Sequence, residues 1–234
     1  MLCLVSHPDY DIPLPDGHRF PATKFSRIVA RLESDNVLGA FKRLTPEPAL
    51  PTDLAITQDP GYIAAIADGT LDRESLRMLG LSWSQVLANR SFLAVNGTLL
   101  AARKALEFGL ACHAAGGTHH AHFAHGAGFC VFNDLAYTAV RLRREGAVRR
   151  VLILDCDVHQ GDGTARILQT HDEIFTCSVH CGKNYPARKA ASDLDVEIER
   201  GNGDAAYLAT LSDTLVRLTV CLLYTSPSPR DPSI

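Results

Sequence analysis

The stretch VLILDCDVHQGDG, residues 151–163, decides the fold. Four consecutive apolar residues run directly into Asp155, Asp157 and Asp162, with His159 among them. A short apolar run of this kind reads as a strand buried on both faces by helices. In an open parallel sheet, ligands bind outside the carboxyl ends of the strands, which is where Asp155 to Asp162 fall if 151–154 is a strand. Ionised carboxylates crowded together repel one another, and a divalent cation offsets that charge. If the backbone stays extended beyond the strand, side chains two apart share a face, so Asp155, Asp157 and His159 converge. Carboxylate oxygen and neutral imidazole nitrogen are both ordinary zinc ligands. A turn or a helix N-cap accounts for any one of these aspartates, but not for the whole constellation.

Outward from this stretch, IFTCSV at 174–179 is a second apolar run of strand length. Helical spacing appears in Phe25, Ile28, Val29 and Leu32, and again in Phe92, Val95, Leu99, Ala102 and Leu106 before Gly109. Leu135, Ala139 and Leu142 repeat it before Gly146, and Leu208, Leu211, Leu215 and Leu218 follow a candidate N-cap at Asp204. These positions read as ordinary core packing. Strands alternating with helices predict an α/β domain around a mostly parallel central sheet. With 234 residues, 46% of them hydrophobic and 21% charged, the chain suits one domain better than two.

The same composition narrows the function. Twenty-three Lys plus Arg against 26 Asp plus Glu leave a formal charge of −3, and no basic block marks a nucleic-acid surface. No stretch approaches the roughly 20 apolar residues of a membrane span, and Met1 leads into LCLVSHPDYD without the regions of a signal peptide. Seven scattered cysteines without a CxxC pair predict reduced thiols and a cytoplasmic protein, with Cys112, Cys130, Cys156 and Cys177 as small buried residues.

A second cluster is GGTHHAHFAHGAGFCVFND, residues 116–134, with four histidines and four glycines. Adjacent His119 and His120 present two imidazoles to one pocket only if the backbone turns there, since a strand points them apart. His113, His122 and His125 read as packing or surface residues.

GGTHHAH and GFCVFND, followed by LDCDVHQGDGT and TCSVHC, resemble the histone deacetylase family, including its bacterial acetoin-utilisation and acetylpolyamine amidohydrolase relatives. The N-terminal DGHRFPATKFSRI resembles the opening of bacterial and class IV-like members. The resemblance covers residues 1–220 and implies the arginase/deacetylase fold. It also implies a hydrolase that removes acetyl or other acyl groups from lysine side chains or small amines. Position by position, Asp157 and His159 match two of three zinc ligands, with ferrous iron as the alternative metal. His119 and His120 match the paired active-site histidines, with Asp155 accepting from His119 and Asp162 from His120. Asp155, Asp157 and Ser178, with the carbonyls of His159 and Val179, match a structural potassium site. Gly128 and Phe129 match one wall of the acyl-lysine tunnel and Tyr185 the opposite wall. Zinc then polarises the acyl carbonyl and acidifies a water, His120 takes the proton and returns it to the amine, and His119 tunes charge.

The resemblance stops at Val220, where the family continues into a strand bearing the third metal ligand, an aspartate, and later a tyrosine that stabilises the oxyanion. Here the sequence reads CLLYTSPSPRDPSI, in which Cys221 to Asp231 resemble a translated sequencing adapter. The expectation is therefore a truncated deacetylase-like domain over 1–220, a non-native tail over 221–234, and no activity from the chain at this length. Gln160 and Gln58 stand where related sequences often carry histidine, and neither is an expected ligand. Two alternatives remain: a non-catalytic acyl-lysine-binding or metal-binding module, and a binuclear manganese ureohydrolase, which the single Asp-x-Asp-x-His cluster disfavours. Acyl-chain length, oligomeric state, and protein as against small-molecule substrate are not legible.

Overall fold

The computed structural model describes residues 1–223. Past Leu223, the segment expected to be non-native lies outside the described residues. Among these, Met1–Ala147 forms one compact unit and residues 148–223 belong to a second. In chain order the first unit contains β1 (Leu2–Val5), α1 (Lys24–Ser34), β2 (Phe41–Leu44), α2 (Pro51–Leu54), α3 (Pro60–Asp68), α4 (Arg73–Leu79), α5 (Gln85–Phe108), β3 (Ala111–His113) and α6 (Asp134–Arg144). The second contains β4 (Val151–Asp155), α7 (Asp162–Leu168), β5 (Ile174–Cys181), β6 (Leu194–Ile198) and α8 (Asp204–Leu223).

Each unit carries a three-stranded sheet with every pair parallel, in the orders β2-β1-β3 and β4-β5-β6. Central β1 buries Cys3, Leu4 and Val5, as a strand flanked on both sides should. The long α5 packs along β1 and β3, and α6 packs on α5. Its ends follow from local chemistry: the Ser84 hydroxyl accepts from the Leu87 amide, and Gly109 supplies the positive φ (+89°) that closes the last turn. The α3 helix starts in the same way, Asp59 accepting from Tyr62 N with Pro60 at the first helical position.

In the second unit, Cys177, Val179 and Leu218 form a buried cluster, against which Leu154, Phe175, Leu194, Val196, Ile198 and Tyr207 pack. The α8 helix thereby covers one face of the sheet with Leu218 and Tyr207. Leu208 and Leu215, expected in the core, are exposed, as are Ile28 and Leu106; the helical spacing holds, but the apolar stripes are wider than the faces the helices bury. Asp204 is the first residue of α8 rather than its cap. Of the cysteines expected to be buried, Cys130 and Cys177 are, whereas Cys112 and Cys156 are exposed at a strand and just past a strand end. No helix among the described residues is long and apolar enough to cross a membrane.

Candidate functional site

The paired histidines sit in the first unit, in the loop between β3 and α6. Residues 119 and 120 form a turn, as two converging imidazoles require. Their ring centroids lie 4.1 Å apart with a 44° tilt, and both residues are buried. The turn is built from its two flanks by the start of α6. Asp134 accepts from Gly117 N (3.0 Å), Thr118 N (2.7 Å) and Thr118 Oγ1 (2.5 Å), which fixes the approach to His119. Asn133 donates through Nδ2 to the carbonyls of Ala121 (3.0 Å) and His119 (3.4 Å), while its Oδ1 caps α6 by accepting from Ala136 N. Both residues are fully buried. Neither was among the expected site residues, although Asn-Asp ahead of an apolar helical run is a recognisable N-cap signal.

Gly128 and Phe129 form the tip of a tight turn in which Ala127 and Cys130 exchange two backbone hydrogen bonds. Both tip residues have positive φ, +54° and +68°, the pattern of a type I′ turn. A Cβ on residue 128 would lie 2.6 Å from Cδ2 of His120, so glycine lets the turn seat against that ring. Phe129 pays about 1–2 kcal/mol for a left-handed conformation, a strain that persists where the surroundings over-determine it. Its amide donates to Leu79 O (2.8 Å), and its ring lies 5.8 Å from His18 and 5.6 Å from Phe20. His18 is fastened in turn to Gly80 O (3.2 Å). His18 and Phe20 thus form an aromatic cluster with Phe129 that the sequence did not show.

The acidic loop sits in the second unit, at the carboxyl end of β4. Asp157 and His159 converge, but not through extended backbone. Asp155 Oδ1 accepts from Asp157 N (3.0 Å) and Asp157 Oδ1 accepts from His159 N (2.8 Å), two successive side-chain-to-backbone turns. These place His159 Nδ1 2.9 Å from Asp157 Oδ1. Asp155 is the register partner of buried Ser178 on β5, and Cys181 N donates to Val158 O, fastening the loop beside the end of that strand. Val179 is buried next to Ser178, whose hydroxyl lies 3.0 Å from His180 Nδ1. Buried Asp162 opens α7. The Tyr185 ring lies 6.0 Å from that of His159, edge to face. Gln160 has a holding role: its Nε2 donates to Asp195 Oδ1 (2.7 Å) and Ala190 O (3.0 Å), and its Oε1 accepts from Ala190 N (2.8 Å).

The donor chemistry of Asp157 and His159 fits zinc. An ion that took both donors would replace the 2.9 Å hydrogen bond between Asp157 Oδ1 and His159 Nδ1. Among the described residues, no group of three or more His, Cys, Asp or Glu is placed to hold a metal ion. Of the residues expected to hold potassium, Asp155 and Ser178 face each other at one register level of β4 and β5.

Parallel sheets flanked by helices, with an acidic loop at the carboxyl end of a strand and a buried imidazole pair, are the parts of the arginase/deacetylase fold. Solved structures show the same fold. A crystal structure of an HDAC homolog from Aquifex aeolicus matches with a TM-score of 0.76 at 20% identity, over 94% of this chain and 65% of that one. The crystal structure of the HDA15 HD domain matches with a TM-score of 0.71 at 19% identity, over 86% and 62%. Residues 18–221 match the histone deacetylase domain, and the chain belongs to the histone deacetylase family. An uncharacterized protein of Picosynechococcus is 43% identical over 212 residues, covering 91% of this chain and 71% of its own length. Histone deacetylase 2 of Arabidopsis thaliana is 29% identical over 85% of this chain and 54% of its own length. The acetoin utilization protein AcuC of Staphylococcus aureus is 30% identical over 70% and 45%. The chain thus spans about half the length of these two named relatives.

Proposed function

We propose that the protein hydrolyses acyl amides of primary amines, removing acetyl or another short acyl group from lysine side chains or from small amines. The observation that carries this reading is the buried His119–His120 pair, its rings 4.1 Å apart, in a chain of the histone deacetylase family. Adjacent imidazoles that share one face divide acid–base labour: one moves the proton while the other sets the local charge. His120 takes a proton from the attacking water and returns it to the departing amine, and His119 tunes the charge beside it. Phe129, with His18 and Phe20, offers an apolar wall to the aliphatic arm of the substrate. Tyr185 lies against His159 and serves the same purpose in the second unit.

Family members are typically zinc-dependent, and Asp157 and His159 are the residues that hold the metal in this reading. Zinc, or ferrous iron, supplies Lewis-acid polarisation of the acyl carbonyl and acidifies water. Asp155, Asp157, Ser178 and the carbonyls of His159 and Val179 would hold a potassium ion, which would offset the remaining carboxylate charge. The test is hydrolysis of an acetyl-lysine peptide and an acetylated polyamine by the natural full-length protein and its His120→Ala variant. Activity in the first and a loss of about 100-fold or more in the second is expected. Wild-type rates in His120→Ala would overturn the assignment. The second reading is a module that binds acyl-lysine or a metal without cleaving the amide, and it holds if the full-length protein lacks the third metal ligand or the oxyanion tyrosine. Binding of the acetyl-lysine peptide with no turnover identifies that case.

A further inference from the structure

Behind the histidine turn lies a chain of buried and half-buried polar groups that the acid–base reading does not use. Tyr10 Oη is 2.7 Å from His113 Nε2, His113 Nδ1 is 2.8 Å from Thr98 Oγ1, and Thr98 Oγ1 is 2.5 Å from Asp134 Oδ2. The direction of every bond follows from the last one. The single Thr98 hydroxyl proton goes to Asp134 Oδ2, so Thr98 Oγ1 must accept from His113. His113 is therefore the Nδ1–H tautomer, its Nε2 accepts, and Tyr10 donates. Burial keeps His113 neutral, pushing its pKa down to about 4 against the opposing pull of Asp134.

Two glycines make room for this chain. A Cβ on Gly97, inside α5, would collide with His113 Nε2 and Tyr10 Oη. A Cβ on Gly116 would meet Asp134 Oδ2 and Thr98 Oγ1 at 2.9 Å each, and His113 Nδ1 at 3.1 Å. A glycine in a helix interior costs about 1 kcal/mol relative to alanine, so Gly97 marks a site where close approach outweighs helix propensity. At its far end the chain meets the carboxylate that grips Gly117 and Thr118, immediately before the histidine pair.

We propose that Asp134 is the positioning residue of the His119–His120 pair, and that the directed chain Tyr10–His113–Thr98 locks its carboxylate into the orientation that shapes the turn. Its functional meaning rests on reading His119 and His120 as the acid–base pair, while the positioning itself is a structural claim. The Asp134 carboxylate accepts four hydrogen bonds, from the Gly117 amide, the Thr118 amide and hydroxyl, and the Thr98 hydroxyl. Asparagine preserves its shape but turns one acceptor into a donor, which opposes a donor already in place.

The test is NMR of the whole chain labelled at histidine and at backbone amides, on wild type, Asp134→Asn, Thr98→Val and Thr98→Ser. Asp134→Asn is expected to abolish the ring-to-ring nuclear Overhauser contact of His119 and His120 and to raise amide exchange at Gly117 and Thr118 about 10-fold or more. Thr98→Val is expected to move His113 out of the Nδ1–H tautomer in its nitrogen shifts and to weaken the same ring contact. Thr98→Ser, which keeps the hydroxyl, restores the wild-type pattern. A purely structural role would lower the melting temperature and leave the ring contact and the tautomer unchanged. If Asp134→Asn does not fold, Thr98→Val and its serine rescue decide the matter. Folded variants with the wild-type ring contact and tautomer overturn the proposal. In the full-length protein, Asp134→Asn lowers kcat while KM holds. If full-length protein lacks hydrolysis but the NMR changes appear, the functional reading fails and the positioning stands.

Discussion

Replacing Gly128 with alanine tests how closely the site is built. The new methyl would fall 2.6 Å from Cδ2, 3.1 Å from Cγ and 3.3 Å from Cβ of His120. Carbon atoms rest at about 3.5 Å or more, so turn and ring must separate by about 0.9 Å. His120 is buried and already in contact with His119, so the displacement does not dissipate into solvent. Overpacking of this kind costs about 1–3 kcal/mol, and a left-handed φ of +54° costs alanine about 1–2 kcal/mol more. The total of about 2–5 kcal/mol lowers Tm by about 4–20 °C for a chain of this size. Displacing the proposed base by about 1 Å costs roughly 100-fold in kcat. Gly146→Ala is the control: φ is +68° there, but nothing lies within 4 Å of the added carbon. It carries the conformational cost of about 1–2 kcal/mol and leaves kcat unchanged. The assays are thermal unfolding and acetyl-lysine hydrolysis by the full-length protein. A Gly128→Ala variant with the Tm of Gly146→Ala and kcat within about 3-fold of wild type would refute the reasoning, because the contact would then have relaxed at no cost.

Further outcomes follow from the same interactions. His113, with its folded pKa near 4 against 6.5 unfolded, binds fewer protons folded than unfolded between those values, so its contribution is complete above pH 6.5 and disappears as pH falls toward 4. Urea unfolding at pH 7 and pH 4.5 should show about 2–3 kcal/mol of pH dependence in wild type that His113→Gln lacks; equal slopes would contradict the buried neutral state. Asp59→Ala removes the cap on Tyr62 N and should lower stability by about 1 kcal/mol, read as a fall of about 2–4 °C in Tm. Gln160→Leu strips partners from Asp195 and Ala190 and should cost about 1–3 kcal/mol; a neutral result means water replaces the amide.

The apolar runs of β4 and β5 were legible because strands covered on both faces need no polar alternation. The β2 strand was not, since FKRL at a sheet edge exposes Lys42 and Arg43 and offers no apolar run. The β6 strand, LDVEI, follows a period of two along an edge, but five residues are too few to stand out. The α1, α5, α6 and α8 helices followed from apolar spacing, while short α2 and α4 had too few periodic positions. At the site, the pattern demanded a turn at His119 and His120 but hid its cause, because Asn133 and Asp134 act from more than ten residues away. The convergence of Asp157 and His159 was legible, yet its expected route through extended backbone was replaced by two aspartate side-chain turns. Tertiary bonds of this kind leave no periodic trace. The Thr98–His113–Tyr10 chain shows the same limit, for its members are scattered over residues 10–113 and each alone reads as packing.

Metal content tests the central claim most directly. Full-length protein purified without chelators should carry about one zinc or iron per chain by elemental analysis, and Asp157→Asn and His159→Ala should each lose it while retaining the fold by circular dichroism. Full-length wild-type protein devoid of divalent metal, or variants that retain it in full, would contradict the account.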